Sequence, residues 1–144
     1  MCGICGKINL NSDHIDEQLI YSMTKVLSNR GPDDEGIYIK ANIGLGHRRL
    51  SIIDLSSAAH QPMSNENGSI WIVCNGEIYN FQELKKILQE KGHIFRSKSD
   101  TEVIIHLYEE NGVDCVKLLT GMLAFAIWDE NKQRLLLARD RLGK

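Results

Sequence analysis

The 144-residue chain carries 17 basic and 19 acidic side chains, a formal net charge of -2 at pH 7, which excludes a nucleic-acid surface built on bulk positive charge. With 42% hydrophobic and 25% charged residues it reads as one soluble globular domain with enough chain to bury a core. No apolar run approaches the roughly 20 residues of a membrane helix, and residues 1–14 lack the apolar segment of a secretion signal.

In chain order, residues 6–10 predict a short strand closed by Asn11-Ser12-Asp13, a cluster that also offers a helix cap. Ile15, Leu19, Met23, Val26 and Leu27 recur on one face of an amphipathic helix. Arg30-Gly31-Pro32-Asp33 ends it, because proline cannot continue a helix. Residues 36–40 and 43–53 predict strands joined by a turn at Ala41-Asn42, and residues 54–68 are a loop by composition. Residues 70–74 form a continuous apolar run that suits a strand buried on both faces. Asn80 with Glu83 opens a helix over Phe81, Leu84, Ile87 and Leu88 that ends at Gly92. Ser99 with Glu102 has capping-box spacing for another, through Val103, Ile104, Leu107 and Tyr108 to Asn111-Gly112. Residues 113–119 predict a short third helix, and 122–128 with 135–138 a hairpin. Strand pairs alternate with helix pairs, which favours an α+β class with antiparallel sheet.

Candidate chemistry begins at Cys2. Trimming of Met1 would leave a thiol and a free α-amine on one residue. These groups titrate near ~8.5 and ~7.7–8.0 in model compounds, so the amine can take the thiol's proton, directly or through a water. A nucleophile activated by its own terminal amine is a known catalytic device. Cys2-x-x-Cys5 as half of a zinc site would want a second pair, which the distant Cys74 and Cys115 do not supply. Cys5, Cys74 and Cys115 read instead as small buried hydrophobes. Four cysteines without framework spacing fit a reducing cytoplasm. His14, His47, His60, His93 and His106 show no metal-ligand spacing, so no metal site is expected.

Three further positions carry weaker signals. Asn75-Gly76-Glu77 follows the apolar run, where an amide and an N–H beside a glycine can form an oxyanion hole or equally mark a turn. Arg48 and Arg49 face opposite ways on a strand; either one points inward toward a carboxylate, or both lie on the surface. Asp100 falls in the first turn of the capped helix, an ordinary dipole partner.

Six strings occur in one order: Met1-Cys2-Gly3-Ile4, Arg30-Gly31-Pro32-Asp33, His47 with Arg49-Leu50-Ser51-Ile52, Asn75-Gly76-Glu77-Ile78-Tyr79-Asn80, Ser99-Asp100-Thr101-Glu102 and Arg139-Asp140-Arg141-Leu142-Gly143. Together they resemble the amino-terminal glutaminase domain of class II glutamine amidotransferases, an N-terminal-nucleophile hydrolase. Within that class the chain is most similar to the glutamine-hydrolysing asparagine synthetases, over its whole length. The resemblance implies a four-layer αββα sandwich of antiparallel sheets flanked by helices, incomplete at its C-terminal end. It implies Cys2 as nucleophile, with Asn75 and Gly76 holding the oxyanion. Arg49 would hold the α-carboxylate of glutamine, and main-chain groups of Leu50, Ser51, Ile52 and Ile53 would line the pocket. Asp100 and the Glu77 region would bind the α-ammonium. The products would be glutamate and ammonia, formed through a thioester.

The family often carries glycine where this chain has Ala59, a change next to Gln61-Pro62. It also continues beyond Lys144 through further strands into an ATP-pyrophosphatase synthetase domain with a Ser-Gly-Gly phosphate loop, a string that residues 1–144 do not contain. The expectation is therefore an incomplete glutaminase domain over 1–144 that feeds ammonia to a C-terminal synthetase domain of the same polypeptide, making asparagine from aspartate. ATP and Mg are expected for that domain and no cofactor for this one. Two alternatives stand: another acceptor in an asparagine-synthetase-like amidotransferase, and a catalytically silent glutamine-binding module. Sugar-phosphate and phosphoribosyl amidotransferases use a different arginine segment. The expected partners are glutamine and the synthetase domain, without nucleic acid or membrane; a homodimer is left open, and the expected location is the cytoplasm.

Overall fold

The computed structural model describes residues 2–52, 54 and 56–143. Its elements are β1 (Gly3–Ile8), α1 (Glu17–Val26), β2 (Asp34–Lys40), β3 (Ile43–Arg49), β4 (Met63–Ser64), β5 (Ile70–Ile78), α2 (Phe81–Glu90), α3 (Glu102–Asn111), β6 (Gly121–Asp129) and β7 (Arg134–Arg139). One sheet runs β1-β3-β2 and the other β4-β5-β6-β7. Every pairing is antiparallel.

The alternation along β3 sets the layers. A Cβ on Gly44 would meet Ile20 and Ile15, and one on Gly46 would meet Thr24 and Cys5. The glycine face of β3 is therefore the bed on which α1 lies. The other face carries Ile43 and Leu45 into a core with Tyr38, Val73, Ala126 and Trp128, so it packs on the second sheet. Adjacent residues of a strand point to opposite sides. Trp71 and Val73 thus face the first sheet, while Ile72, Cys74 and Ile78 join Leu84, Leu88, Val103, Ile104 and Tyr108 in the larger core under α2 and α3. The result is four layers, helix–sheet–sheet–helix, the αββα sandwich that the resemblance implies. No described helix is long and apolar enough to cross a membrane.

Several boundaries differ from the sequence reading. β1 starts at Gly3 rather than at residue 6, because its register against β3 runs from Gly3↔Arg48 to Ile8↔Ile43. The first helix is capped by Asp16, whose side chain accepts from Gln18 N, not by the Asn11–Asp13 cluster. β3 stops at Arg49 instead of continuing to residue 53. There the Leu50 N–H turns to the Cys2 thiol and the Ser51 N–H to the Asp33 carboxylate, so neither joins the ladder. β4 lies inside the expected loop. β5 continues through Asn75-Gly76-Glu77 to Ile78, because β6 pairs with it along its full length. The capping box is not formed: Thr101 is the N-cap of α3 without a side-chain bond, and Asp100 precedes the helix rather than lying in its first turn. Residues Gly112–Leu118 wind as a 3-10 helix.

Candidate active site

The inner face of β3 continues through His47 to Arg49, and the same face of β1 extends back through Ile4 to Cys2. Cys5 lies three residues on, so it points the other way, its Sγ 3.4 Å from Thr24 Oγ1 under α1. The strand geometry thereby separates Cys2 from Cys5. Cys2 Sγ accepts from Leu50 N at 3.4 Å, and Arg30 Nε donates to the Cys2 carbonyl at 3.3 Å. Two of the six strings thus fix the position of the thiol. The remaining thiols at Cys74 and Cys115 are buried; burial pushes Cys115 up to about 11 and Cys74 higher still.

On the opposite wall, the direction of the main chain of β5 can be read from its neighbours. Asp140 N donates to Leu123 O and Leu123 N to Asp140 Oδ2, so the polar groups of Leu123 face β7. Those of Met122 and Ala124 must then face β5, where they meet Glu77 and Asn75. The main-chain groups of Cys74, Gly76 and Ile78 therefore point to the other edge of β5, beyond the end of the two-residue β4. Cys74 N donates to Gln61 Oε1 at 2.6 Å, and Ile78 N donates to Asp100 Oδ2 at 2.8 Å. The Gly76 N–H lies between them on that open edge. A Cβ on Gly76 would collide with Met122 O and Leu123 Cα, so glycine is required here by the close approach of β6. Asn75 Oδ1 is buried without a hydrogen-bond partner among the described residues. The amide thus keeps bonding capacity for a ligand.

A cavity of about 180 Å³ opens between these walls, lined among others by Cys2, Arg49, Asn75, Gly76, Glu77 and Asp100. Arg49 is 8% exposed and is the inward arginine; Arg48 pairs with Glu35 and donates to Gly31 O. Among the described residues the partners of Arg49 are the carbonyls of Asp54 and Ser56. Asp100 is 6% exposed. Burial raises its pKa and the nearby Glu77 charge adds to the rise, while N–H groups led by that of Ile78 oppose it. Among the described residues neither Arg49 nor Asp100 has an ion-pair partner. The cavity therefore holds an unpaired cation and an unpaired carboxylate.

Leu50 and Ile52 line the cavity, Ser51 stands off it with its N–H on Asp33 at 2.8 Å, and Ile53 lies outside the described residues. His47 Nε2 is 3.1 Å from Cys74 O, and burial pushes the ring down to about 4, so it is neutral at pH 7. The sequence reading missed Asp54. Its Oδ1 accepts from Ser56 N and Oγ, and its Oδ2 accepts from Lys98 N at 2.8 Å. These bonds join the loop after Arg49 to the segment that carries Asp100. Bonds from Ser56 and Lys98 hold the Asp54 carboxyl at about 2. Asp54 with Ser56 at i+2 is an Asx-turn signal that the residues do carry. Glu66, His93 and His106 bring ligand atoms within 4.8 Å of one another, apart from this cavity.

The family model for the glutamine amidotransferase domain matches residues 1–144. The chain is 47% identical over 146 residues to an asparagine synthetase [glutamine-hydrolyzing] of Bacillus subtilis, covering 99% of this chain and 19% of that protein. It is 41% identical over 156 residues to the amidase chry2 of Gibberella zeae, covering 99% of this chain and 23% of that one. Its fold matches that of a glutamine phosphoribosylpyrophosphate amidotransferase from B. subtilis, with a TM-score of 0.79 at 24% identity, over 97% of this chain and 37% of that structure.

Proposed function

The chain belongs to the family of glutamine amidotransferase domains, and we propose on that premise that it binds L-glutamine and hydrolyses the side-chain amide through a thioester on Cys2. The observation that carries this reading is the polarity of the cavity: unpaired Arg49 and unpaired Asp100 flank a thiol and an open-edge N–H. Glutamine is a zwitterion, so a guanidinium for its carboxylate and a carboxylate for its ammonium fix its orientation. Binding the ammonium also relieves the cost of the buried Asp100 charge. The amide end then lies toward Cys2, Asn75 and Gly76.

With Met1 removed, the α-amine of Cys2 takes the thiol proton and the thiolate attacks the amide carbon. The Asn75 side-chain N–H and the Gly76 N–H stabilise the oxyanion. Collapse expels ammonia, which leaves with the proton held on the amine. Water adds to the thioester, the amine accepts its proton, and glutamate departs as the thiol re-forms.

The chain spans about a fifth to a quarter of the length of the two curated relatives. On this reading, residues 1–144 form the glutaminase part of a longer polypeptide, and a C-terminal synthetase domain uses ATP, Mg and the released ammonia. Aspartate is the favoured acceptor, supported by the relative named as an asparagine synthetase. The similarity to an enzyme named as an amidase favours a second reading, the same glutaminase serving another acceptor. Ammonia release from L-glutamine, measured beside calorimetric binding to Cys2→Ala, tests the proposal. Release by the parent, with binding but no release in the variant, is expected. Binding without release in both would instead mark a glutamine-binding module.

A further inference from the structure

Glu102, the first residue of α3, is 5% exposed, and its carboxylate organises the irregular segment before the helix. Oε1 accepts from Arg96 N at 2.7 Å, and Oε2 accepts from Ser97 N at 2.8 Å and Ser97 Oγ at 2.6 Å. Ser97 Oγ accepts in turn from Ser99 N at 3.1 Å, and Ser99 Oγ from Thr101 N at 3.1 Å. Glu102 thus anchors the start of the segment 96–101 that carries Asp100, a segment that Asp54 also holds through Lys98 N.

Three donors satisfy the oxygens of Glu102 but leave a buried negative charge, which is costly without a cation. The cation beside it is His106, one turn along α3 and 2% exposed. Its Nε2 lies 3.9 Å from Glu102 Oε1 and has no hydrogen-bond partner among the described residues, while its Nδ1 is 2.9 Å from Glu109 Oε2. From the neighbouring segments it faces the His93 ring at 4.7 Å, the Phe95 ring at 4.6 Å and the Glu66 charge. Burial opposes the charged ring, but Glu102 and Glu109 outweigh it and lift its pKa to about 9. His93 is likewise engaged by carboxylates, with Nε2 3.1 Å from Glu110 Oε1. The cluster is a set of ion pairs around an imidazolium.

We propose that His106 is a positioning residue of the glutamine site: by neutralising Glu102 it keeps residues 96–101 in the form that presents Asp100 to the cavity. This rests on the reading that Asp100 receives the α-ammonium. The test is steady-state kinetics of the whole protein on L-glutamine and on 4-carbamoylbutanoate, the same amide without the α-amine. Asp100→Asn is expected to raise KM for glutamine and spare the analogue. His106→Gln is expected to raise the glutamine KM about tenfold with kcat within about twofold, again sparing the analogue. The Glu102→Gln/His106→Gln double variant should be no worse than Glu102→Gln alone, since a neutral residue 102 needs no counter-charge. Where His106→Gln does not fold, Glu102→Gln supplies the same readout, a KM increase selective for glutamine. Equal loss on both substrates, an effect on kcat alone, or effects that multiply in the double variant would overturn the proposal. If Asp100→Asn left the glutamine KM unchanged, the reading beneath it would fall first and the proposal with it.

Discussion

Along the β5 wall of the cavity, each main-chain direction follows from a ladder that pairs Ile70–Ile78 with Gly121–Asp129 without a break. Along the β3 wall the ladder ends at Arg49, and side chains take over: Arg49 grips the Asp54 and Ser56 carbonyls, Asp33 holds Ser51 N, and Asp54 reaches Lys98 N. Asn75 and Gly76, proposed for the oxyanion, sit on the wall fixed by the ladder, and Arg49, proposed for the α-carboxylate, sits where a loop begins. Chemistry tolerates displacement less well than binding does, and rigid elements hold a geometry more closely than loops. The two walls should therefore fail differently when they are broken.

The largest expected effect belongs to the residue both walls serve. Cys2→Ala, or retention of Met1, should abolish glutamine-dependent turnover, and on the proposed reading free ammonia would still drive synthesis in the whole protein. Ammonia and product assays run side by side check this, and normal glutamine turnover by Cys2→Ala would contradict it. Next, Asn75→Ala should lower kcat by roughly a hundred- to a thousandfold, the usual size for one lost oxyanion donor. Arg49→Ala should mainly raise KM. If both changed only KM, the division between the walls would be wrong.

The α+β class and its antiparallel sheets were legible in the residues, whereas the four layers and the grouping of the candidate site came from the family resemblance. Period-two alternation puts Arg49 on the inner face once β3 is recognised, and the burial of Ile72, Val73 and Cys74 on both faces of β5 follows from an unbroken apolar run. Local signals misled where a distant partner overrode them. Asn75-Gly76 reads as a turn, yet β6 keeps it extended and makes glycine a packing requirement. Ser99 and Glu102 have capping-box spacing, but Glu102 bonds backward to Arg96 and Ser97 instead. Leu50 and Ile52 alternate like a strand, while the N–H groups of Leu50 and Ser51 serve Cys2 and Asp33. Asp54-x-Ser56 carries a local Asx-turn signal, but the bond from Lys98 N that gives Asp54 its place in the site spans 44 positions.

A smaller effect should follow from the loop wall itself. The folded Asp54 carboxyl sits at about 2, below its ordinary value near ~3.9. A depressed pKa contributes stability that is complete above about pH 4 and disappears as the pH falls through 2. The melting temperature of the parent should therefore drop more between pH 4 and pH 2 than that of Asp54→Asn, by a few degrees; parallel curves would remove Asp54 from the account. The smallest expected effect concerns β7, the edge of its sheet, where Leu137 is 69% exposed. An apolar edge is a template for association, so residues 1–144 alone should self-associate at high concentration, and Leu137→Lys should reduce this. Light scattering checks it, and a monomer at every concentration would show that the edge needs no cover.

The central claim is that one cavity orients glutamine by its two charges and delivers the amide to Cys2. Peptide mass mapping after reaction with a diazoketone analogue of glutamine tests it most directly, because the three other free cysteines serve as internal controls. The expected result is a single adduct on Cys2 of the Met1-free protein, suppressed by excess L-glutamine and slowed in both Arg49→Ala and Asp100→Asn. An adduct on Cys5, Cys74 or Cys115, or labelling of Cys2 that glutamine does not suppress, would contradict the account.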